Sequence, residues 1–341
     1  MLERVLITGG AGFIGSNFVR YWCTRTDAPI LVLDKLGYAG NSSSLTGPLE
    51  SGQVSLVKGD VCDRALVSHL LSENNIDTIV HFAAESHVDR SIVGPAAFIQ
   101  TNVVGTLTLL EAFRDRWQAC NQPKDYRFLH ISTDEVYGSL ADDAPAFTES
   151  TAYAPNSPYS ASKAGSNHLV RAYFHTYGLP VLITNCANNY GPYQFPEKLI
   201  PLMCVNILRG KSLPVYGDGQ NLRDWLHVMD HCAAIEKVLR MAKPGSVYNI
   251  GGNSQIRNID IVYWLCNLLE ELAEDLPCPP RDLITFVADR PGHDRRYAVD
   301  ISKIQHELGW SPTYRFESGL RQTVEWYLHN REWWQPLLSK D

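Results

Sequence analysis

Short apolar runs recur along the first half of the chain, at 5–7, 30–33, 54–57, 78–82, 127–131 and 181–184. Each is only a few residues long and nearly unbroken in apolar character. Such runs suit strands of a parallel sheet covered on both faces, where neither face needs polar positions. Between the first two, residues 13–23 carry apolar positions at helical spacing. Strand and helix in alternation predict a doubly wound, Rossmann-type α/β domain. After about residue 188 proline, glycine and tyrosine become frequent (GPYQFPEK, SLPVYGDGQNLRDW) and the alternation fades. The pattern therefore predicts a dinucleotide-binding domain over 1–187 and a smaller, loop-rich substrate domain mainly over 188–341. VYNIGG at 247–252 reads as one more sheet strand, so a return to the first domain is expected near 226–255, with a discontinuous boundary.

A length of 341 residues agrees with about two domains. The formal net charge of -7 argues against a nucleic-acid or anionic-membrane partner, since both favour a basic face. Cysteines at 23, 62, 120, 186, 204, 232, 266 and 278 make no C-x-x-C and no Cys/His cluster, so reduced thiols, a cytoplasmic location and no metal are expected. MLERVLITGG enters a strand-like run at once, with no leader pattern, and no stretch approaches a membrane span in unbroken apolar residues.

The first strand runs into Thr8-Gly9-Gly10-Ala11-Gly12-Phe13-Ile14-Gly15 and then a helix. A glycine pattern alone is weak, but here it stands between strand and helix, as a dinucleotide site demands. The glycines let the backbone approach a pyrophosphate, and the helix N-terminus offers it unpaired N–H groups. Asp34 ends the second strand, where a carboxylate accepts from the adenosine ribose and repels a 2′-phosphate, favouring NAD. Asp60-Val61, after the third strand, is either an adenine neighbour or a plain strand-end cap.

Tyr159 and Lys163 are four apart, hence on one face of a helix. An ammonium there favours the phenolate and lowers the Tyr159 pKa towards general-base work. Ser132-Thr133-Asp134-Glu135 follows the fifth strand. Two adjacent carboxylates suit an acid and a base for removing water. Ser132-x-x-Glu135 equally suits a helix capping box.

With the glycine fingerprint, the Tyr-Lys pair resembles the signature of the extended short-chain dehydrogenase/reductases. STDEVYG, DKLGYAGN, AAESHVDRSI, NNYGPYQFPEKLIP, GDGQNLRDWLHVMDH, YNIGG and DRPGHDRRYAVD together resemble the dTDP-glucose 4,6-dehydratases, from Val5 to about Trp326. That resemblance implies a lyase that oxidises carbon 4 of dTDP-glucose, removes water across carbons 5 and 6, reduces carbon 6 and regenerates NAD. It implies catalytic roles for Thr133, Asp134 (acid), Glu135 (base), Tyr159 and Lys163. It implies cofactor contacts at Gly9, Gly12, Phe13, Ile14, Gly15, Asp34, Lys35, Asp60, Val61, Ala83, Ala84, Thr101, Tyr159, Lys163 and Asn189. Substrate contacts are implied at Ser86, Thr133, Asn188, Lys198, Leu199, Pro214, Tyr216, Arg223, Asn258, Arg290 and His293, with Glu85 near the sugar or nicotinamide. A homodimer paired through helices around 96–113 and 159–177 is also implied. Gly37, where the family more often has Thr, is a departure expected to touch only a cofactor-side loop. His87 and His130 read as satisfied structural histidines. Alternative readings are a UDP-glucose 4,6-dehydratase, a sugar-nucleotide epimerase or decarboxylase of the same branch, or a non-catalytic NAD-binding regulator.

Overall fold

A computed structural model describes residues 4–339. Among the described residues twelve strands are formed: β1 Val5–Thr8, β2 Ile30–Asp34, β3 Val54–Lys58, β4 Thr78–His81, β5 Arg127–Thr133, β6 Val181–Cys186, β7 Asn188–Tyr190, β8 Leu213–Tyr216, β9 Leu222–His227, β10 Val247–Ile250, β11 Gln255–Arg257 and β12 Ile284–Val287. Seven of them make one parallel sheet in the order β10-β6-β5-β4-β1-β2-β3. The doubly wound expectation holds, and its cause is visible in the burial. All residues of β1, β2, β4 and β6 are buried, because helices cover both faces. One face packs Ile7, Phe18, Val32 and Leu129; the other packs Leu6, Leu33, Leu110 and Phe128.

The strand order reverses between β1 and β4, and the crevice outside the carboxyl ends of the strands at such a point is where this architecture takes ligands. The chain leaves the sheet after β6. It comes back with helix Val228–Met241, whose Ile235 and Val238 join the Phe18 face, and with β10 beside β6. Tyr297, Val299, Ile304 and Trp310 join that same core much later in the chain. A separate apolar cluster, including Ile200, Met203, Val262, Leu265 and Phe316, supports two small sheets, β11-β9-β7 and β12-β8.

The helical run Pro95–Ala119 is, by length and composition alone, apolar enough to cross a membrane, and 44% of its most apolar window is buried inside the molecule. It is not an unbroken apolar stretch, since Gln100, Thr101, Asn102 and Glu111 interrupt it.

Candidate active site

The turn after β1 is built for an anion. Gly9 has φ +72°, and a Cβ there would lie 2.5 Å from the Ala83 backbone nitrogen. A Cβ on Gly15 would lie 2.2 Å from the Gly9 carbonyl oxygen. Only glycine lets strand, turn and helix come so close. No side chain caps helix Phe13–Cys23 at Gly12, and no acidic residue stands in its first turn. Its leading N–H groups are therefore left for a ligand phosphate. Asp34 accepts from the backbone nitrogens of Ala11 (2.9 Å) and Leu36 (2.8 Å), so it also braces the glycine turn. Burial raises its pKa, and those two amides oppose the rise. Lys35 pairs with Asp60 at 2.8 Å beside it. A Cβ on Gly37 would meet nothing within 4 Å, so the more usual Thr would fit the same loop.

At the other end of the cleft β5 stops at Thr133, and Asp134–Tyr137 forms a single 3-10 turn. The Thr133 hydroxyl caps it, accepting from the Glu135 nitrogen at 3.3 Å. This corrects the capping-box alternative, since the Ser132 hydroxyl has no partner and Thr133 does the capping. The Glu135 carboxylate is thereby not spent on capping, while Asp134 Oδ1 accepts from the Thr133 hydroxyl at 3.4 Å. Asp134 is 1% exposed and its Oδ2 has no hydrogen-bond partner. Burial, then the Glu135 and Asp224 charges, push its pKa well above the carboxylate range. Burial raises Glu135 too, opposed by the cations Lys198, Arg223 and Arg290.

Tyr159 and Lys163 lie in the first turns of helix Pro158–Tyr177, started by a Ser157/Ser160 capping box with Pro158 behind it. Lys163 donates through Nζ to the Ile131 carbonyl at 2.8 Å, and burial lowers its pKa to about 8. The Tyr159 phenol differs from the expectation. Its pKa is raised well above the ordinary value by burial and then by Glu135, Cys186 and Asp134. Helical spacing places the ammonium on the right face, but the protein without ligand surrounds this phenol with a dry wall and negative charge.

On the opposite wall Lys198 donates to the Ser86 carbonyl at 2.9 Å. Arg223 is 6% exposed and donates to the Asp294 carbonyl at 2.8 Å. Arg290 forks onto Asp89, and His293 meets Asp289 at 2.6 Å. His87 caps helix Val88–Val93 by accepting from the Arg90 nitrogen. His130 is buried against His81, but neither of its ring nitrogens has a partner, so it is structural without being satisfied.

Every residue singled out in the sequence as catalytic, cofactor-binding or substrate-binding lines one cavity of about 750 Å³. It extends from the glycine turn, past the ends of β4 and β5, to Pro214, Tyr216 and Asn258. Sequence reasoning missed Tyr38, Asp89, Cys186, Glu197, Asp294 and Tyr297, which line it as well. For all but Cys186, which lies outside them, the only signal was membership of the long matching motifs. The glycine cradle and the uncapped helix fit a dinucleotide diphosphate. The unpartnered Asp134 oxygen fits a group that arrives with the substrate.

Fold and site thus define an extended short-chain dehydrogenase/reductase with a buried carboxylate pair at the end of β5. The family described as GDP-mannose 4,6 dehydratase matches residues 6–323. A dTDP-glucose 4,6-dehydratase from Xanthomonas campestris pv. campestris is 57% identical over 98% of this chain and 95% of its own length. One from Shigella flexneri is 55% identical over 98% and 96%. The solved structure of DesIV, a dTDP-glucose 4,6-dehydratase from Streptomyces venezuelae with NAD bound, superposes with TM-score 0.89 at 48% identity, covering 98% of this chain and 99% of that one. The chain belongs to the GDP-mannose 4,6 dehydratase family and, within it, to the dTDP-glucose 4,6-dehydratases.

Proposed function

We propose that the protein converts dTDP-glucose to dTDP-4-keto-6-deoxyglucose with NAD as a regenerated cofactor. The observation that carries this reading is the pair at the end of β5: two adjacent carboxyls, with Asp134 buried, unpartnered through Oδ2 and held towards its acid form beside Glu135. An epimerase has no use for such an acid, and a non-catalytic regulator would need neither the carboxyls nor Tyr159 and Lys163.

Gly9, Gly12 and Gly15 cradle the cofactor diphosphate, Asp34 faces its ribose, and Lys35, Asp60, Val61, Ala83, Ala84, Thr101 and Asn189 line the rest of its channel. NAD held there would supply a reversible hydride acceptor, for oxidation at carbon 4 and reduction at carbon 6. Tyr159 takes the proton of the 4-hydroxyl, with Thr133 holding that oxygen and Lys163 supporting the charge that develops. The carbon 4 ketone acidifies the hydrogen on carbon 5, and Glu135 removes it. Asp134, held towards its acid form by burial and the Glu135 charge, protonates the departing 6-hydroxyl. Arg223, braced on the Leu222, Arg295 and Asp294 carbonyls, and Arg290, braced on Asp89, supply fixed positive charge and their remaining N–H donors to the substrate diphosphate. Ser86, Asn188, Lys198, Leu199, Pro214, Tyr216, Asn258 and His293 form the remaining wall for sugar and base.

The enzyme works as a homodimer in the cytoplasm. Val93 (89% exposed), Ile99 and Leu107 form an apolar flank on the helical run that precedes and includes Gly105–Ala119, which supports pairing there. Eight free thiols suit a reducing compartment.

Incubating the purified protein separately with dTDP-glucose and UDP-glucose, and weighing the products, tests the reading. Loss of one water from dTDP-glucose is expected. Loss only from UDP-glucose would change the substrate, and loss from neither would overturn the reaction.

A further inference from the structure

Two aromatic rings that the mechanism above does not use meet on the wall of the cavity. Tyr38 belongs to the loop after β2, and Phe195 to the segment between β7 and helix Leu199–Leu208. Both line the cavity together with Gly12, Phe13 and Ile14 of the glycine turn and its helix. Their ring centres lie 5.9 Å apart with the planes at 89°, an edge-on geometry in which aromatic pairs attract. Arg90 ties the same two segments together. Its guanidinium lies 3.8 Å from the centre of the Tyr38 ring, and its Nη2 is 3.9 Å from Oε2 of Glu197, two residues beyond Phe195.

Both segments are fastened a second time, away from the rings. On the Tyr38 side, the Asn41 nitrogen donates to the Ala11 carbonyl at 3.0 Å. Farther along, Arg20 Nε donates to the Ser44 carbonyl at 2.9 Å and Trp333 Nε1 to the Ser44 hydroxyl at 3.1 Å. On the Phe195 side, Asn17 Nδ2 donates to the Pro192 carbonyl at 2.9 Å. The Tyr193 ring lies under the Arg20 guanidinium at 4.5 Å and packs on Trp326 and Trp333, with centres 4.6 and 5.5 Å away. Asn17 and Arg20 belong to helix Phe13–Cys23, the element whose N-terminus cradles the diphosphate. The two segments are therefore fixed to the cradle itself, and truncating one ring leaves these anchors in place.

A regenerated cofactor must not leave half-way. Between the two hydride transfers the protein would hold NADH beside an oxidised sugar, and losing NADH then strands both. A contact that has to open before the cofactor departs slows departure without touching the reacting atoms. We propose that Tyr38 and Phe195 form a bar across the diphosphate end of the cofactor channel, which keeps the reduced cofactor bound between the two hydride transfers. This rests on the reading of NAD as a regenerated cofactor. The bar acts through two rings, so it is lost when either ring is lost, and the Tyr38 hydroxyl plays no part in it.

The experiment is the rate at which bound NADH leaves, read from the change in its fluorescence when excess NAD displaces it. It compares the wild type with Tyr38→Phe, Tyr38→Ala, Phe195→Ala and the double alanine variant. Each single alanine variant is expected to release NADH about tenfold faster, the size of one aromatic pair. The double variant should be no faster than the singles, and Tyr38→Phe should keep the wild-type rate. Unchanged rates in both single alanine variants would overturn the proposal. So would effects that multiply in the double variant, since the rings then act independently. A Tyr38→Phe rate as fast as that of Tyr38→Ala would also overturn it. Phe195→Leu, which keeps apolar bulk but no ring, should release NADH faster as well and makes the same comparison if an alanine variant does not fold. NADH accumulating in step with product in the wild type would sink the parent reading. Unchanged alanine variants of an enzyme that conserves its NAD would sink the bar alone.

Discussion

Arg290 holds Asp89 through two guanidinium nitrogens, with Nη2 3.0 Å from Oδ2, across 201 positions of sequence. The fork is spent on one side only. Nη1 makes none of these contacts, and the guanidinium lines the cavity beside Tyr216. The Asp89 charge and hydrogen bond raise the Arg290 pKa against the effect of burial, and Asp89 is correspondingly lowered.

On the proposed reading, the ion pair aims a cation at the substrate diphosphate, which would need it equally in ground and transition states. Asp89→Asn should raise KM for the sugar nucleotide roughly three- to tenfold while kcat stays near the wild-type value, the signature of lost uniform binding. A fall in kcat at unchanged KM would show that Asp89 acts on the chemistry instead.

Asp134→Asn keeps shape but removes the transferable proton. General acids contribute about 10²–10⁴-fold, so elimination of water should slow by at least about a hundredfold while oxidation at carbon 4 is far less affected. Rapid quenching should then trap a 4-keto sugar that still bears its 6-hydroxyl. Because burial and Glu135 hold Asp134 towards its acid form, wild-type elimination should fall, as pH rises, only well above the ordinary carboxylate range, and Asp134→Asn should lack that fall.

Gly15→Ala tests the cradle. The new methyl group would meet the Gly9 carbonyl and the Gly10 Cα, both backbone, so the turn must open. NAD should bind at least about tenfold more weakly, and the rise in Tm on adding NAD should shrink by the corresponding amount. An unchanged rise would place the diphosphate elsewhere.

Lys163 links the site to stability. Its folded pKa of about 8 lies below the ordinary 10.5 that the unfolded chain retains. Between those values the unfolded chain binds a proton that the folded protein has released, so the stability contributed by this residue rises with pH across the window. Lys163→Met has no such proton. The unfolding free energy of the wild type relative to Lys163→Met, measured in urea without ligand, should rise by on the order of 3 kcal/mol from pH 8 to about 10.5. A difference flat in pH would show that the ammonium is not desolvated.

What could be read along the chain was what is local in it. The glycine turn, the Tyr159/Lys163 spacing and the Asp134-Glu135 pair each lie within one element or one turn, and the short apolar runs declared a sheet covered on both faces. The relationships that set the electrostatics are not local. Asp89 meets Arg290, Tyr297 and Asp294 pack against Arg223, and Lys163 finds the Ile131 carbonyl only once β5 and helix Pro158–Tyr177 are packed together. For the same reason the expected lowering of the Tyr159 pKa failed. Spacing revealed its cation and concealed the burial and the two carboxyls that outweigh it. The late return of Tyr297, Val299 and Trp310 to the first core had no pattern of its own, because those residues lie in irregular segments rather than in a strand or a helix with a readable period.

The central claim is an internal oxidation, elimination and reduction on one substrate molecule. Its most direct test is to supply dTDP-glucose carrying deuterium at carbon 4, mixed with unlabelled substrate, and to locate the label in the product. The account predicts deuterium at carbon 6 of the same molecules that brought it, with the 6-hydroxyl lost and a solvent proton at carbon 5. Deuterium still at carbon 4, or washed into solvent, would contradict it.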